Sequence, residues 1–310
     1  MTDTPQHTVA ADLVAVLVAV TGGEPRVLTT QDASALPSGP FEPGHRSLQA
    51  GMRAWVEQQT HHPLGYVEQL YTFADRDRFG SAGERHVISV SYLGLTREGA
   101  PSGGAHPGWQ NWYRYFPWED HRSGRPAMLA ERIEPALRRW MRAGGDAQAR
   151  RRRGQRAGLT FGLDGYAWNE DMVLQRYELL YEAGLVAEAA RRGNPGAPVL
   201  PGDDMLHDHR RILATGIARL RAKIKYRPVV FELMPPDFTL LQLQQAVEAL
   251  AGRSLHKQNF RRLIEQQELV EETGEVTAKG AGRPAKLFRF RGGVVLERAI
   301  AGSKLPLARA

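Results

Sequence analysis

Apolar and polar positions along the first ninety or so residues follow the pattern of a sheet-rich α/β unit. Strands are predicted at Val9 to Val20, Arg26 to Thr30, Tyr66 to Ala74 and Val87 to Leu95, with Gly22-Gly23 turning the first into the second. Between the second and third strands, Leu48, Met52, Trp55 and Val56 recur at helical spacing, so Leu48 to Gln59 is predicted to be a helix. Pro63 and Gly65 end it. Asp75-Arg76-Asp77-Arg78 reads as a charged connection between the last two strands.

Residues 97 to 200 carry weaker periodicity. An aromatic cluster (Trp109, Trp112, Tyr113, Tyr115, Phe116, Trp118) precedes a predicted helix from Met128 to Met141. The cluster fits a core or a dimer contact, because no strand alternation makes it a base-stacking platform. Arg150-Arg151-Arg152-Arg153-Gly154-Gln155-Arg156 reads as a solvated basic loop, with a nucleic-acid contact as the alternative. A second helix is predicted over Asn169 to Ala190, and Pro195 to Pro201 reads as a connection. Asp208 to Tyr226 is expected to form a long helix. Its stripe (Ile212, Leu213, Ile217, Leu220, Ile224) suits core or dimer packing, and its basic residues are expected on a solvated face.

The sharpest pattern follows Pro228. Thr239 suits a helix N-cap, Leu240 to Leu250 is apolar at helical spacing, and Gly252 stands where a C-cap belongs. Ser254 is expected to cap a second helix, Leu255 to Gln267, with Phe260, Leu263 and Ile264 turned inward. Leu269 to Val276 and Ala285 to Phe290 read as strands around the basic tip Lys279 to Pro284. Helix, turn, helix and hairpin in that order make a winged helix-turn-helix. Such a module can set its second helix in the DNA major groove and its wing on phosphates. Lys257, Gln258, Asn259, Arg261, Arg262, Lys279, Arg283 and Lys286 are the candidate DNA contacts. Thr239 is a plain cap, or else offers its backbone N–H to a phosphate.

Composition narrows the class of partner. A net charge of +7 favours a polyanion, nucleic acid or nucleotide. The chain has no cysteine, which excludes disulfides and thiolate metal sites and suits a reducing, cytoplasmic setting. The longest apolar run, Leu13 to Val20, is far short of the roughly 20 residues that span a bilayer, so no membrane partner is expected.

Two resemblances join these parts. From Gly39 onward the spacing is similar to the Nudix signature, Gly-x5-Glu-x7-Arg-Glu-U-x-Glu-Glu-x-Gly-U, where U is bulky and apolar. His45 and Ala54 stand at two of its Glu positions, Arg53 at the Arg, Glu57 and Gln58 at the Glu pair, Thr60 at the second Gly and His61 at the last U. A Mg²⁺ site for diphosphate hydrolysis needs several carboxylate oxygens, and one Glu is a poor cage. No catalytic residue and no metal are therefore assigned, and His45, His61 and His62 are taken as surface residues.

A Nudix-like domain joined to a winged helix resembles the NrtR family of regulators of NAD metabolism. The residues that carry the likeness are Leu64 to Leu95, Asp208 to Pro235 and Asp237 to Phe290, about half of the chain. The resemblance implies a mixed α/β (α+β) architecture and a homodimeric repressor that binds double-stranded operator DNA. It also implies a catalytically weak or dead Nudix part that senses ADP-ribose or a related metabolite, with no cofactor. The expected organisation is a Nudix-like sensing domain over 1–205 with a helical insertion at about 100–200. A linker or dimerisation helix over 206–226, a winged helix over 227–295 and a tail over 296–310 follow. The insertion exceeds the compact family pattern. Arg53, Glu57, Arg76, Arg78, Arg85 and His86 are candidate effector contacts, with Arg53 expected to brace Glu57 by an ion pair. A competing reading is a Nudix-type hydrolase recruiting Glu57, Glu68 and Glu84 for Mg²⁺. A third is a scaffold whose winged helix binds protein.

Overall fold

A computed structural model describes residues 9–60, 64–74, 86–98, 108–191, 200–277 and 284–293. The central strand, β1 (Val9–Thr21), turns at Gly22-Gly23 into β2 (Glu24–Thr29) and is also flanked by β3 (Ser38–Pro40). The helix α1 (Leu48–Thr60) follows, then β4 (Tyr66–Phe73), β5 (His86–Leu95) and the short β6 (Gly108–Asn111). β1 and β5 are parallel, and the strand order is β4-β5-β1-β2-β6, with β3 on β1.

β1 is apolar nearly throughout because both of its faces are covered. Leu13, Ala15 and Leu17 pack with Met52 and Val56 of α1. Val14, Val16 and Val18 belong to the larger core on the other side, with Ile212, Leu213 and Ile217. Those three come from α6 (His209–Ile224). A Cβ on its Gly216 would stand 2.9 Å from Val16 Cγ1, which measures how closely this helix lies on the sheet. The α6 stripe is therefore buried within the chain. Core packing was one of the two roles expected for that stripe.

Its basic residues depart from the solvated face expected for them. Arg210, Arg221 and Lys223 are buried, while Arg219 is exposed. Arg210 meets Glu188 at 3.2 Å, and Lys223 meets the Glu68 carboxylate and Tyr66. Buried cations stay charged in such places when carboxylates accompany them.

Between β6 and α6 lies the helical segment. It comprises α2 (Glu134–Arg142), entered through a π-helical turn at Leu129–Ile133, then α3 (Ala147–Phe161), α4 (Val173–Glu182) and α5 (Ala187–Ala190). The arginine run expected to be a loop is the middle of α3. Asp146 caps that helix by accepting from Ala149 N at 2.6 Å, and Gly162 ends it at φ +62. A lone glycine at 154 does not outweigh both caps. The helix expected over Asn169 to Ala190 starts at Val173 and breaks at Gly184, whose φ is +70. There Leu185 N donates back to Leu180 O at 2.9 Å, closing the helix end. The aromatic cluster is core: Trp112, Tyr115, Phe116 and Trp118 are fully buried.

The C-terminal module has the expected order. α7 (Leu240–Ala251) and α8 (Lys257–Gln266) precede β8 (Val270–Val276) and β9 (Lys286–Phe290), and β7 (Asp237–Phe238) completes a three-stranded sheet ordered β7-β9-β8. Phe238, Leu243, Leu250, Phe260 and Ile264 join the same core that runs under the sheet. Leu263, expected inward, is 51% exposed. Ser254 does not cap α8 either, since its hydroxyl donates to Arg122 O at 2.5 Å. The turn is held by Glu248 Oε1, which accepts from Leu255 N at 2.7 Å and Gln244 Nε2 at 2.9 Å.

Candidate nucleic-acid interface and the junction behind it

α8 is two-faced because its apolar residues recur at i and i+4. Phe260 and Ile264 anchor it. Lys257, Gln258, Asn259, Arg261 and Arg262 are all exposed and form no hydrogen bond or ion pair among the described residues. Five hydrogen-bonding side chains on ten residues of helix, none used by the fold, are what a groove-reading surface needs. β8 and β9 form the wing beside it, and β8 bulges near Gly274, whose φ is +82. Lys286 opens β9 and ion-pairs across the hairpin with Glu272 at 2.9 Å. Lys279 and Arg283 lie outside the described residues.

Thr239 makes a full capping box. Its hydroxyl accepts from Gln242 N at 3.2 Å while its own N–H donates to Gln242 Oε1 at 2.7 Å. That N–H is engaged within the box, as the plain-cap role requires.

The signature region is held together by structural bonds. Gly39 lies against Trp55, whose indole would occupy the place of a Cβ. The Gln59 amide clamps Ser38, accepting from its N at 3.2 Å and donating to its O at 2.7 Å. His45 accepts from Glu42 N at 3.1 Å. Arg53 donates to Leu64 O at 2.6 Å and Gly65 O at 3.0 Å, so it braces the loop after α1 in place of the expected pair with Glu57, which is exposed. Arg76, Arg78, Arg85, Glu84, His61 and His62 fall outside the described residues, and His86 opens β5, paired with Val9. Glu68 is engaged by Lys223 and Tyr66. Among the described residues no group of three or more His, Asp or Glu is placed to hold a metal.

The densest polar cluster was not anticipated from the sequence. Glu119, 1% exposed, bonds Arg176 of α4 at 2.5 and 2.8 Å and Arg221 of α6 at 2.7 Å. Burial pushes the Glu119 carboxyl up, but the two guanidiniums outweigh it and hold the carboxyl below its ordinary range. Arg221 also donates to Leu250 O at 3.0 Å, Tyr113 OH donates to Ala249 O at 2.7 Å, and His121 N donates to Gly252 O at 2.7 Å. These bonds fasten the C-terminus of α7 to the aromatic segment and to α6. Gly252 allows it: its φ is +70, and a Cβ there would stand 2.5 Å from Glu119 O. The acidic residue in Trp118-Glu119-Asp120, amid aromatics, was the available signal.

The architecture is a Nudix-like α/β sandwich carrying a winged helix on a helical middle segment. Comparison with known proteins agrees. Residues 230–290 match the family model described as the NrtR DNA-binding winged helix domain. Over 87 residues the chain is 41% identical to the ADPR responsive transcriptional repressor NtrR of Acinetobacter baylyi, covering 28% of this chain and 34% of that protein. The chain thus matches about a third of that relative's length. The crystal structure of Shewanella oneidensis NrtR superposes with a TM-score of 0.53 at 18% identity, covering 92% of this chain and 95% of that one. A MutT/nudix family protein of Enterococcus faecalis gives 0.54 at 16%, covering 93% and 89%. Likeness at that level of identity shows the fold. No described helix is long and apolar enough to cross a membrane.

Proposed function

We propose that this chain is a DNA-binding transcriptional regulator, a repressor of NAD-related genes, whose Nudix-like domain senses ADP-ribose or a related metabolite. The observation that carries the reading is α8, which presents Lys257, Gln258, Asn259, Arg261 and Arg262 free to solvent inside a stretch that matches a DNA-binding winged helix. The name of the Acinetobacter relative supports the effector and the sign of regulation. A sensing rather than hydrolytic role for α1 is supported by its having one carboxylate, Glu57, and by the engagement of Glu68 elsewhere. In this reading Lys257 and Asn259 approach base edges, and Arg261 and Arg262 lie on phosphates. Arg53, by contrast, serves the fold. The active species is a cytoplasmic homodimer.

Replacing Arg261 and Arg262 together by Ala should abolish binding to a duplex selected from random sequence by the full chain. The melting temperature should not change, since neither side chain packs. Retained affinity in a mobility shift would remove α8 from the interface.

A further inference from the structure

The chain's positive charge is concentrated in the helical segment. Between Leu129 and Phe161 stand nine arginines against three acidic residues, with no lysine. That stretch therefore has a net charge of +6, against +7 for the whole chain. Four of the nine are used by the fold. Arg138 pairs with Glu134 and Asp164, and Arg156 pairs with Glu182. Arg150 donates to Gly144 O at 3.1 Å, while Arg153 donates to Trp140 O and lies 4.4 Å over its ring. The other five, Arg132, Arg139, Arg142, Arg151 and Arg152, are exposed and form no hydrogen bond or ion pair among the described residues. Unopposed guanidiniums crowded on two short helices repel one another, and the fold gains nothing from them. They suit a partner that brings closely spaced negative charge.

The place of the hairpin in the fold favours DNA as that partner. Its root is bonded to the turn that precedes α8: His121 N donates to Gly252 O, and Ser254 donates to Arg122 O. Only six residues separate Arg122 from the π-helical turn at Leu129. Within the hairpin, Arg153 lies over Trp140, and a Cβ on Gly154 would stand 3.8 Å from Met141 Sδ, so α3 packs closely on α2. α3 has 15 residues. That makes it about 22 Å long, the axial rise of roughly six phosphates on one strand.

We propose that the α2–α3 hairpin is a second DNA-contact surface, binding the phosphate backbone of duplex flanking the site that α8 reads. The proposal rests on the DNA-binding reading above, which supplies the duplex. Contacts of this kind carry no sequence information; they add affinity and salt dependence.

The test changes Arg139, Arg142, Arg151 and Arg152 to Gln in the full chain. Affinity is measured against salt for two probes: the selected site alone, about 25 base pairs, and the same site centred in about 60 base pairs. On the long probe the slope of log K against log salt should fall by about 2 to 4, at nearly one per lost phosphate contact, with a loss of about ten- to a hundredfold near 0.1 M salt. On the short probe the variant and the parent should agree. Equal losses on both probes would mean a general charge effect and overturn the proposal. So would unchanged slopes on the long one, even if the variant lost affinity for single-stranded RNA. Failure of the unaltered chain to bind the short probe would strike the functional reading itself. An unchanged circular dichroism melt of the variant would confirm that folding is not what is measured.

Discussion

Glu119 is the side chain on which the interior depends most. It neutralises two guanidiniums that are 0% and 1% exposed, and Arg221 beside it reaches the carbonyl of Leu250. Removing one partner of a buried ionic cluster leaves the others charged without compensation, which costs about 3–5 kcal/mol. Glu119→Gln should lower the unfolding free energy by that much in urea titration, and an unmoved midpoint would show the cluster to be dispensable. His209 sets a different dependence. Its ring is buried and accepts from Leu36 N at 3.0 Å, and burial pushes its pKa down to about 3. Below about pH 6.5 the unfolded chain binds a proton that the folded chain refuses, so stability falls as pH drops from there toward 3. Between pH 7 and 5 this group alone should remove about 2 kcal/mol. His121, also lowered by burial, adds to the same trend. The depressed carboxyl of Glu119 acts only below its unfolded value of 4.5, so it leaves that window to the histidines. His209→Gln should flatten the profile of melting temperature against pH above pH 5.

Among the elements, those with strong local signals were readable. β1, α1, β5 and α7 follow from apolar periodicity and caps, and Thr239 and Gly252 stand where the sequence puts them. α3 was not legible as a helix because four consecutive arginines and Gly154 carry no apolar stripe; its caps, Asp146 and Gly162, decide the outcome. The exposed polar side of α8 could be read from spacing, whereas the capture of Ser254 by Arg122 could not, since that contact spans 132 residues. The burial of Arg210 and Arg221 was hidden for the same reason: their carboxylate partners are distant in sequence. Gly252 gives a prediction at this scale. Gly252→Ala combines a positive φ with a collision against the Glu119 carbonyl. It should cost about 1–3 kcal/mol and raise amide exchange at the end of α7 more than in β1.

For the whole molecule, one core runs without interruption from the β-sheet to Phe260 and Ile264 beneath α8. If ADP-ribose binds the sheet domain and alters DNA affinity, the coupling should amount to about 1–3 kcal/mol, roughly 5- to 150-fold. DNA must then shift ADP-ribose affinity by the same factor. Calorimetry with and without duplex measures both sides of that cycle, and absence of any heat with ADP-ribose would defeat the sensing role.

The vacancy that Gly252 leaves beside the Glu119 carbonyl has an evolutionary corollary. Any descendant that acquires a methyl or larger group at this spot must shift the end of α7 off that carbonyl, and with it the Leu250 and Ala249 carbonyls that accept from Arg221 and Tyr113.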